Sequence, residues 1–303
     1  MTTAACLLVY AAIVIWLAPP VLDRLTRRGL SPRLGVAAWV TAVAGVLIAW
    51  LAAVVLIVVK SVFSLANSQA IVLCLELLGI PERALTSGRL GPALLICAAL
   101  AISTAVAGKV VGSILELRSR SREHARTARL VGLPAGPDLF LVAAAQPAAY
   151  CVGGRPRAIV VTTAALERLD ESQLAAVLAH ESAHIAGRHH DLVTALRALR
   201  VGLPHLPLFA RSDSAVAALL EMCADDAAAR RHCGRILVAG MIRLAGPHPR
   251  AGLAIAATAV VARADRLLDP ARRATVWCHR LTVSVVIAAL ASAPVAINTI
   301  CHH

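Results

Sequence analysis

Apolar residues fall into two patterns along this chain: four long unbroken runs, and shorter stretches where they recur at helical or alternating spacing. The first long run covers residues 4–22 and ends at Pro19-Pro20, ahead of a charged stretch. The second covers 34–59, with Trp39 and Trp50 along it and Lys60 just beyond. The third runs from about 90 to 111 and the fourth from 281 to 300. Each is close to the roughly 20 residues that cross a hydrocarbon core, so four transmembrane helices are expected. No positively charged segment precedes the first run, which argues for a span rather than a signal peptide. Ala70–Ile80 is too short to span and is expected to lie at the interface.

Between the third and fourth runs, residues 116–279 are long enough for one domain, and their pattern changes. Asp138–Ala145 and Ala158–Thr163 read as strands, the second being a β-branched run after the turn-like Gly153-Gly154-Arg155-Pro156. Ala148–Val152 reads as a further short strand. Asp170-Glu171-Ser172-Gln173 has the form of a capping box, and Leu174, Val177, Leu178 and Ile185 then recur at helical spacing up to a stop at Gly187. After a loop around Gly202 to Pro207, a second helix is expected from Ser212 or Asp213 to about Arg231. The apolar piece Ala251–Ala262 is too short for a span and is expected as a buried helix.

Composition agrees with a membrane protein: 59% of residues are hydrophobic and the mean hydropathy is +0.75. The formal net charge of +13 is almost all arginine, since Lys60 and Lys109 are the only lysines. Arg24, Arg27, Arg28 and Arg33 crowd the loop after the first run, and segment 116–279 holds 21 arginines against 14 acidic residues. Residues 61–89 carry only Arg83 and Arg89, balanced by Glu76 and Glu82. The positive-inside rule then places the first loop and the long segment in the cytoplasm, with the N-terminus, segment 61–89 and the tail Cys301-His302-His303 outside. The run Arg118, Arg120, Arg122, Arg126 and Arg129 follows the third span directly, which suits anionic membrane lipid. Direct nucleic-acid binding is not expected, because no recognition motif is present and aromatics are 3% of the chain. Eight scattered cysteines without a C-x-x-C pair exclude a disulfide framework or a cysteine zinc ribbon. Nothing in the sequence fixes the oligomeric state.

The candidate chemistry is concentrated in His180-Glu181-Ser182-Ala183-His184, an H-E-x-x-H pentad inside the capped helix. Residues four apart share a helix face, so both imidazoles can hold one Zn2+ ion while Glu181 takes a proton from water. An open catalytic zinc site needs a third protein ligand. Glu221 is the preferred choice: it lies in an E-x-x-x-D arrangement whose Asp225, on the same face, can orient a histidine ligand. His189, His190, Asp191, His205, Asp226 and His232 are rivals. His190 is the most serious of these, since His184, Gly187 and His190 have metzincin spacing. That reading needs the chain to turn back at Gly187 and a methionine turn, with only Met222 and Met241 downstream.

Four spans, an H-E-x-x-H domain between the third and fourth, and a downstream E-x-x-x-D helix resemble the BlaR/MecR antirepressor peptidases. More distantly they resemble the HtpX and CAAX-prenyl-protease gluzincins. Pro147–Gly153, Arg157–Val161, Leu174–Ala179 and Arg263–Pro270 also look like that group. The resemblance implies a multi-pass α-helical membrane protein with an inserted α+β zincin-like metallopeptidase domain. Three spans fall within 1–115, the peptidase domain within 116–279, and the fourth span with a short tail within 280–303. It implies His180, His184 and Glu221 as zinc ligands and Glu181 as general base. Ala148, Ala149, Tyr150, Cys151 and Val152 would form an edge strand that pairs with an extended substrate. For the oxyanion, His232 and His205 are candidates. The implied setting is the bacterial cytoplasmic membrane, with a winged-helix repressor as cytosolic protein substrate and a signal-transducing role. The alternatives are an HtpX-like quality-control protease and a catalytically silent membrane receptor or scaffold. The external penicillin-binding domain of the BlaR/MecR sensors does not follow the fourth span in this sequence.

Overall fold

A computed structural model describes residues 3–77, 87–153, 157–245 and 254–300. The expected turn residues 154–156, the tail 301–303, residues 251–253 and part of the expected external segment (78–86) lie outside them. The chain is a multi-pass α-helical membrane protein with a small α+β domain set before its last long helix. Among the described residues, four helices contain stretches long and apolar enough to cross a membrane: Thr3–Thr26, Pro32–Lys60, Ile96–Val131 and Arg273–Ile297.

The first two, α1 (Thr3–Thr26) and α2 (Pro32–Leu77), form a hairpin. Its turn is closed by Gly29 at φ +60°, a left-handed conformation that glycine adopts without a Cβ penalty. The buried Trp39 indole N–H donates to Thr26 Oγ1 at 3.4 Å across the hairpin. Segment 61–89, expected outside with Ala70–Ile80 at the interface, is helical to Leu77 as a continuation of α2. Nothing between Gly45 and Gly79 breaks the helix, and a lone lysine at position 60 is no stop signal.

The third long helix, α3 (Ser87–Val131), runs unbroken through the basic stretch into the domain. There Ala125 and Ala128 cover one face of a four-stranded sheet. The strands are β1 (Leu133–Gly136), β2 (Leu139–Val142), β3 (Ala149–Val152) and β4 (Ala158–Thr162), in the order β1-β2-β4-β3. The pairs β1–β2 and β3–β4 are antiparallel, and β2–β4 is parallel. All of β4 is buried, as a β-branched run between two covered faces should be. β3 lies at one edge of the sheet and β1 at the other, and β3 begins one residue later than expected. Ala148 precedes it and exchanges hydrogen bonds with Thr162.

After α4 (Thr163–Arg168), the helix α5 (Glu171–Ala186) carries the pentad and covers the sheet's other face through Leu174, Leu178 and Ile185. Its capping box is complete: Gln173 N–H donates to Asp170 Oδ1 at 2.9 Å, and Gln173 Oε1 accepts from Asp170 N–H. Gly187 ends it, but the chain restarts at once as α6 (His189–Gly202), with Arg188 left-handed between them at φ 51°. The next helix, α7 (Pro207–Ala229), begins a turn earlier than expected. Pro207 occupies its first position, where a missing N–H costs nothing.

Phe209, Val216, Leu219 and Leu220 of α7 are packed into one cluster with Leu7, Tyr10, Trp39 and Val46 of the α1–α2 hairpin. Val283 of α10 (Arg273–Ile300) joins it. Through α7, then, the α+β domain docks on the membrane helices. The remaining elements are α8 (Gly234–Ala245) and α9 (Ala254–Leu268). The expected buried helix at 251–262 is instead the first half of α9, and its Val261 is 58% exposed. Arg263, Arg266 and Leu267 face inward one turn further on, so this helix is amphipathic.

Candidate metal centre

His180 and His184 lie one turn apart on α5, with Nε2 atoms 3.1 Å from each other. α7 crosses this face closely, because Ala176 and Ala228 at the contact are fully buried and small. The crossing brings Glu221 in: Oε2 is 3.4 Å from His180 Nε2 and Oε1 is 3.4 Å from His184 Nε2. The three residues offer ligand atoms all within 4.8 Å of one another, the spacing needed to hold one metal ion. Two imidazole lone pairs facing each other at this distance repel unless a cation or a proton lies between them. Two nitrogens and one carboxylate also match the donor set of an open catalytic zinc site.

Behind the three sits an ionic layer. Asp225, with 0% of its surface exposed, has Oδ1 3.1 Å from His180 Nδ1, off the line of the ring N–H. Arg263 of α9 forks onto Asp225 at 2.8 and 2.6 Å and reaches Glu221 Oε2 at 3.0 Å. Burial alone would raise the Asp225 carboxyl, but Arg263 and His180 hold it below the ordinary range. Glu221 is lowered in the same way, burial being outweighed by His180 and Arg263.

The two histidines are pushed apart. Burial would lower His180, but the carboxylates of Asp225 and Glu221 raise it to about 9. His184 is lowered to about 4, first by burial, with His180 and His189 adding repulsion. In the metal-free protein, then, the shared proton resides on His180, and a metal must displace it. Zinc affinity is therefore expected to rise about tenfold per pH unit from near neutrality and to level off above about 9. Chelator-competition titrations across that range test it; a flat profile below pH 9 contradicts a proton on His180. The same raised value means that the charged ring stabilises the metal-free fold fully below 6.5, and that this is lost as pH passes about 9.

Glu181 points from α5 toward the sheet. Its Oε2 accepts the Cys151 main-chain N–H at 2.8 Å. Burial raises its carboxyl, partly offset by His180, which suits a group that takes up a proton. The Cys151 thiol, raised to about 12 by burial and by Glu181, stays protonated and is no nucleophile. In β3, alternate residues turn their main chain to β4; Ala148 does so, whereas the Cys151 N–H turns to Glu181. Ala149 therefore turns its main-chain N–H and carbonyl, and Cys151 its carbonyl, to the open edge. A cavity of about 310 Å³ over the cluster is lined by His180, Glu181, Glu221 and Arg263, with Leu237, Met241 and Leu244 as an apolar wall.

Residues 115–249 match the family model described as Peptidase family M48. The matched stretch holds the sheet, α5, α7 and α8, and so His180, Glu181, His184, Glu221 and Asp225. Two relatives named "Protease HtpX homolog" are also similar. That of Acidiphilium cryptum (strain JF-5) is 45% identical over 71 residues, 23% of this chain and 24% of the relative. That of Pelotomaculum thermopropionicum (strain DSM 13744 / JCM 10971 / SI) is 38% identical over 90 residues, 26% of this chain and 32% of the relative. The similarity thus spans about a quarter to a third of those relatives' length. No solved structure matches the chain.

The rival ligands go elsewhere. The chain does not turn back at Gly187 as a metzincin site requires; α6 restarts, and His190 Nε2 lies 2.8 Å from Ser121 Oγ on α3. His189 is a neighbour instead, its Nδ1 3.0 Å from His184 Nδ1, where it fixes that ring from behind. Asp191 lies 3.8 Å from Arg157, and Asp226 pairs with Arg266 at 2.8 Å. His205 is exposed and His232 follows the end of α7; among the described residues neither bonds to the cluster. Met222 and Met241 are both helical, so neither forms a methionine turn. Arg263 is the site residue that sequence reasoning left without a role. Its signal was an arginine directly at the end of the apolar run Val260-Val261-Ala262, with an acidic pair elsewhere in need of a partner.

Proposed function

We propose that this protein is a zinc-dependent endopeptidase working at the cytoplasmic face of a bacterial membrane. The observation that carries the reading is the convergence of His180, His184 and Glu221 beside a buried Glu181 and an open strand edge. Zinc held by those three would supply Lewis acidity, lowering the pKa of a water toward about 7. Ala149 through its main-chain N–H and carbonyl, and Cys151 through its carbonyl alone, would orient an extended peptide on the open edge of β3. Glu181, its carboxyl raised, takes the proton from the attacking water and passes it to the leaving amine nitrogen. Arg263 and Asp225 keep Glu221 and His180 in position throughout.

The topology follows from charge. The arginine-rich turn between α1 and α2 lies on the same side as the domain, with Arg211 of α7 3.4 Å from Asp23. Positive residues gather on the cytoplasmic side, so we place the domain there and the N-terminus outside.

The relatives' name favours an HtpX-like protease, and the likeness to that group suggests membrane proteins as its substrates. Cleavage of a winged-helix repressor, implied by the likeness to BlaR/MecR peptidases, is the second substrate reading. Full-length protein purified in detergent should hold one zinc per chain and cut an unfolded test protein. Chelation should stop the cutting and added zinc restore it. A chain without zinc and without activity would be a silent scaffold. In cells carrying Glu181→Gln, accumulation of many membrane-protein fragments supports the first substrate class, and of one intact repressor the second.

A further inference from the structure

The basic run beyond the third span does not form one uniform lipid-facing surface, because α3 divides it. Arg120 pairs with Glu116, while Arg129 is drawn to the sheet, donating to Asp138 at 2.6 Å and to the Arg157 carbonyl at 2.7 Å. Arg118 and Arg122, one turn apart, lie on the face that Arg129 occupies two turns further on, away from Arg120. There they meet Arg157, Arg188 and His190 around a cavity of about 530 Å³. A single carboxylate, Asp191, lines it against four guanidinium groups, no nearer than 3.8 Å to Arg157. Among the described residues, Arg118, Arg122 and Arg188 form no ion pair. Arg188 also keeps a left-handed backbone that a glycine would adopt more easily.

This cavity adjoins the candidate cleft. A gap of only about 10 Å³, walled by Cys151, Val152, Gly153 and His184, shares Arg157, Arg188, His190 and Asp191 with it. A peptide extended along the open edge of β3 past His184 and Gly153 points toward the arginine cluster, and reaches it once the His190 ring, packed against Gly153, turns aside. We propose that the cavity is a subsite for acidic side chains, so that the enzyme selects extended segments bearing Asp or Glu where they pass Val152 and Gly153. This rests on the endopeptidase reading and adds to it a substrate class. A lipid headgroup carries the same charge, but continuity with the strand edge favours a polypeptide.

The test uses full-length protein with Glu181→Gln, zinc-loaded, in phosphatidylcholine nanodiscs. The probes are fluorescent peptides of about ten residues, carrying Asp-Asp near one end, near the other, or Asn-Asn at both. One Asp-Asp peptide is expected to bind about tenfold tighter than the Asn-Asn peptide. Arg118→Gln with Arg122→Gln should shrink that ratio to under about twofold, as should about 0.5 M salt. Arg188→Gly should melt no lower than its parent yet lose part of the ratio, which separates lost charge from misfolding. Equal binding of all peptides, no binding at all, or a preference that survives the double substitution overturns the proposal. So does arginine-dependent binding to phosphatidylglycerol vesicles without any peptide preference, which makes the cavity a lipid site. Cleavage of neutral and acidic peptides alike by the zinc-loaded native enzyme removes the acidic subsite and leaves the hydrolase standing. An acidic preference in binding with no peptide ever cut does the reverse.

Discussion

Glu181→Gln is expected to slow peptide hydrolysis by about 10²–10⁴-fold while zinc stays at one per chain. The substitution keeps an oxygen that can accept the Cys151 N–H, now 2.8 Å from Oε2, so the link between α5 and the edge strand persists. It removes only the capacity to take up a proton, which burial has tuned by raising the Glu181 carboxyl. Metal analysis and turnover on one preparation check the two halves together. Activity within a factor of about three of the native rate would assign the base to another group. Loss of zinc alongside activity would instead mean that Glu181 supports the metal ligands.

The largest expected effect on stability belongs to Arg263→Met. The substitution keeps much of the side-chain volume but leaves Asp225, with none of its surface exposed, without its fork of two hydrogen bonds. Removing one partner of a buried ion pair costs about 3–5 kcal/mol, because the stranded charge has no water to turn to. Zinc affinity should fall with it, since Glu221 loses a contact at 3.0 Å and His180 the fixed position of its neighbour. Denaturation and zinc titration of the variant measure both. Adding Asp225→Leu to Arg263→Met should recover part of the stability but not the zinc affinity. A loss below about 1 kcal/mol for Arg263→Met alone would mean that Asp225 takes up a proton or finds another donor.

Much of this architecture is written in local patterns. Runs of about 20 apolar residues announce spans because a bilayer demands that length wherever they occur. Asp170 and Gln173 specify the start of α5 by hydrogen bonds three residues apart, and the pentad then needs only the helical period to align His180 with His184. The β-branched run of β4 and the short strand beside it were legible for the same reason. The helices α6 and α8 were not. α6 begins directly after a glycine stop, across a left-handed arginine that no propensity favours. α8 follows a short turn and starts at Gly234, a residue type that more often ends a helix than begins one. The continuation of α2 to Leu77 was hidden by Lys60, whose charge reads as the end of a span although its backbone is content to stay helical.

The sequence alone determined the long apolar helices, the capped helix, the paired imidazoles and the glutamate beside them, all set by neighbours within a few turns. Tertiary structure decided which distant groups join them. It chose Glu221 over His190 because α7 is clamped between the α1–α2 hairpin and α5, whereas α6 carries His190 off to Ser121. It brought Arg263 back onto Asp225 and laid the edge of β3 beside Glu181. Those meetings depend on packing between elements tens of residues apart, which no periodicity in the chain can encode.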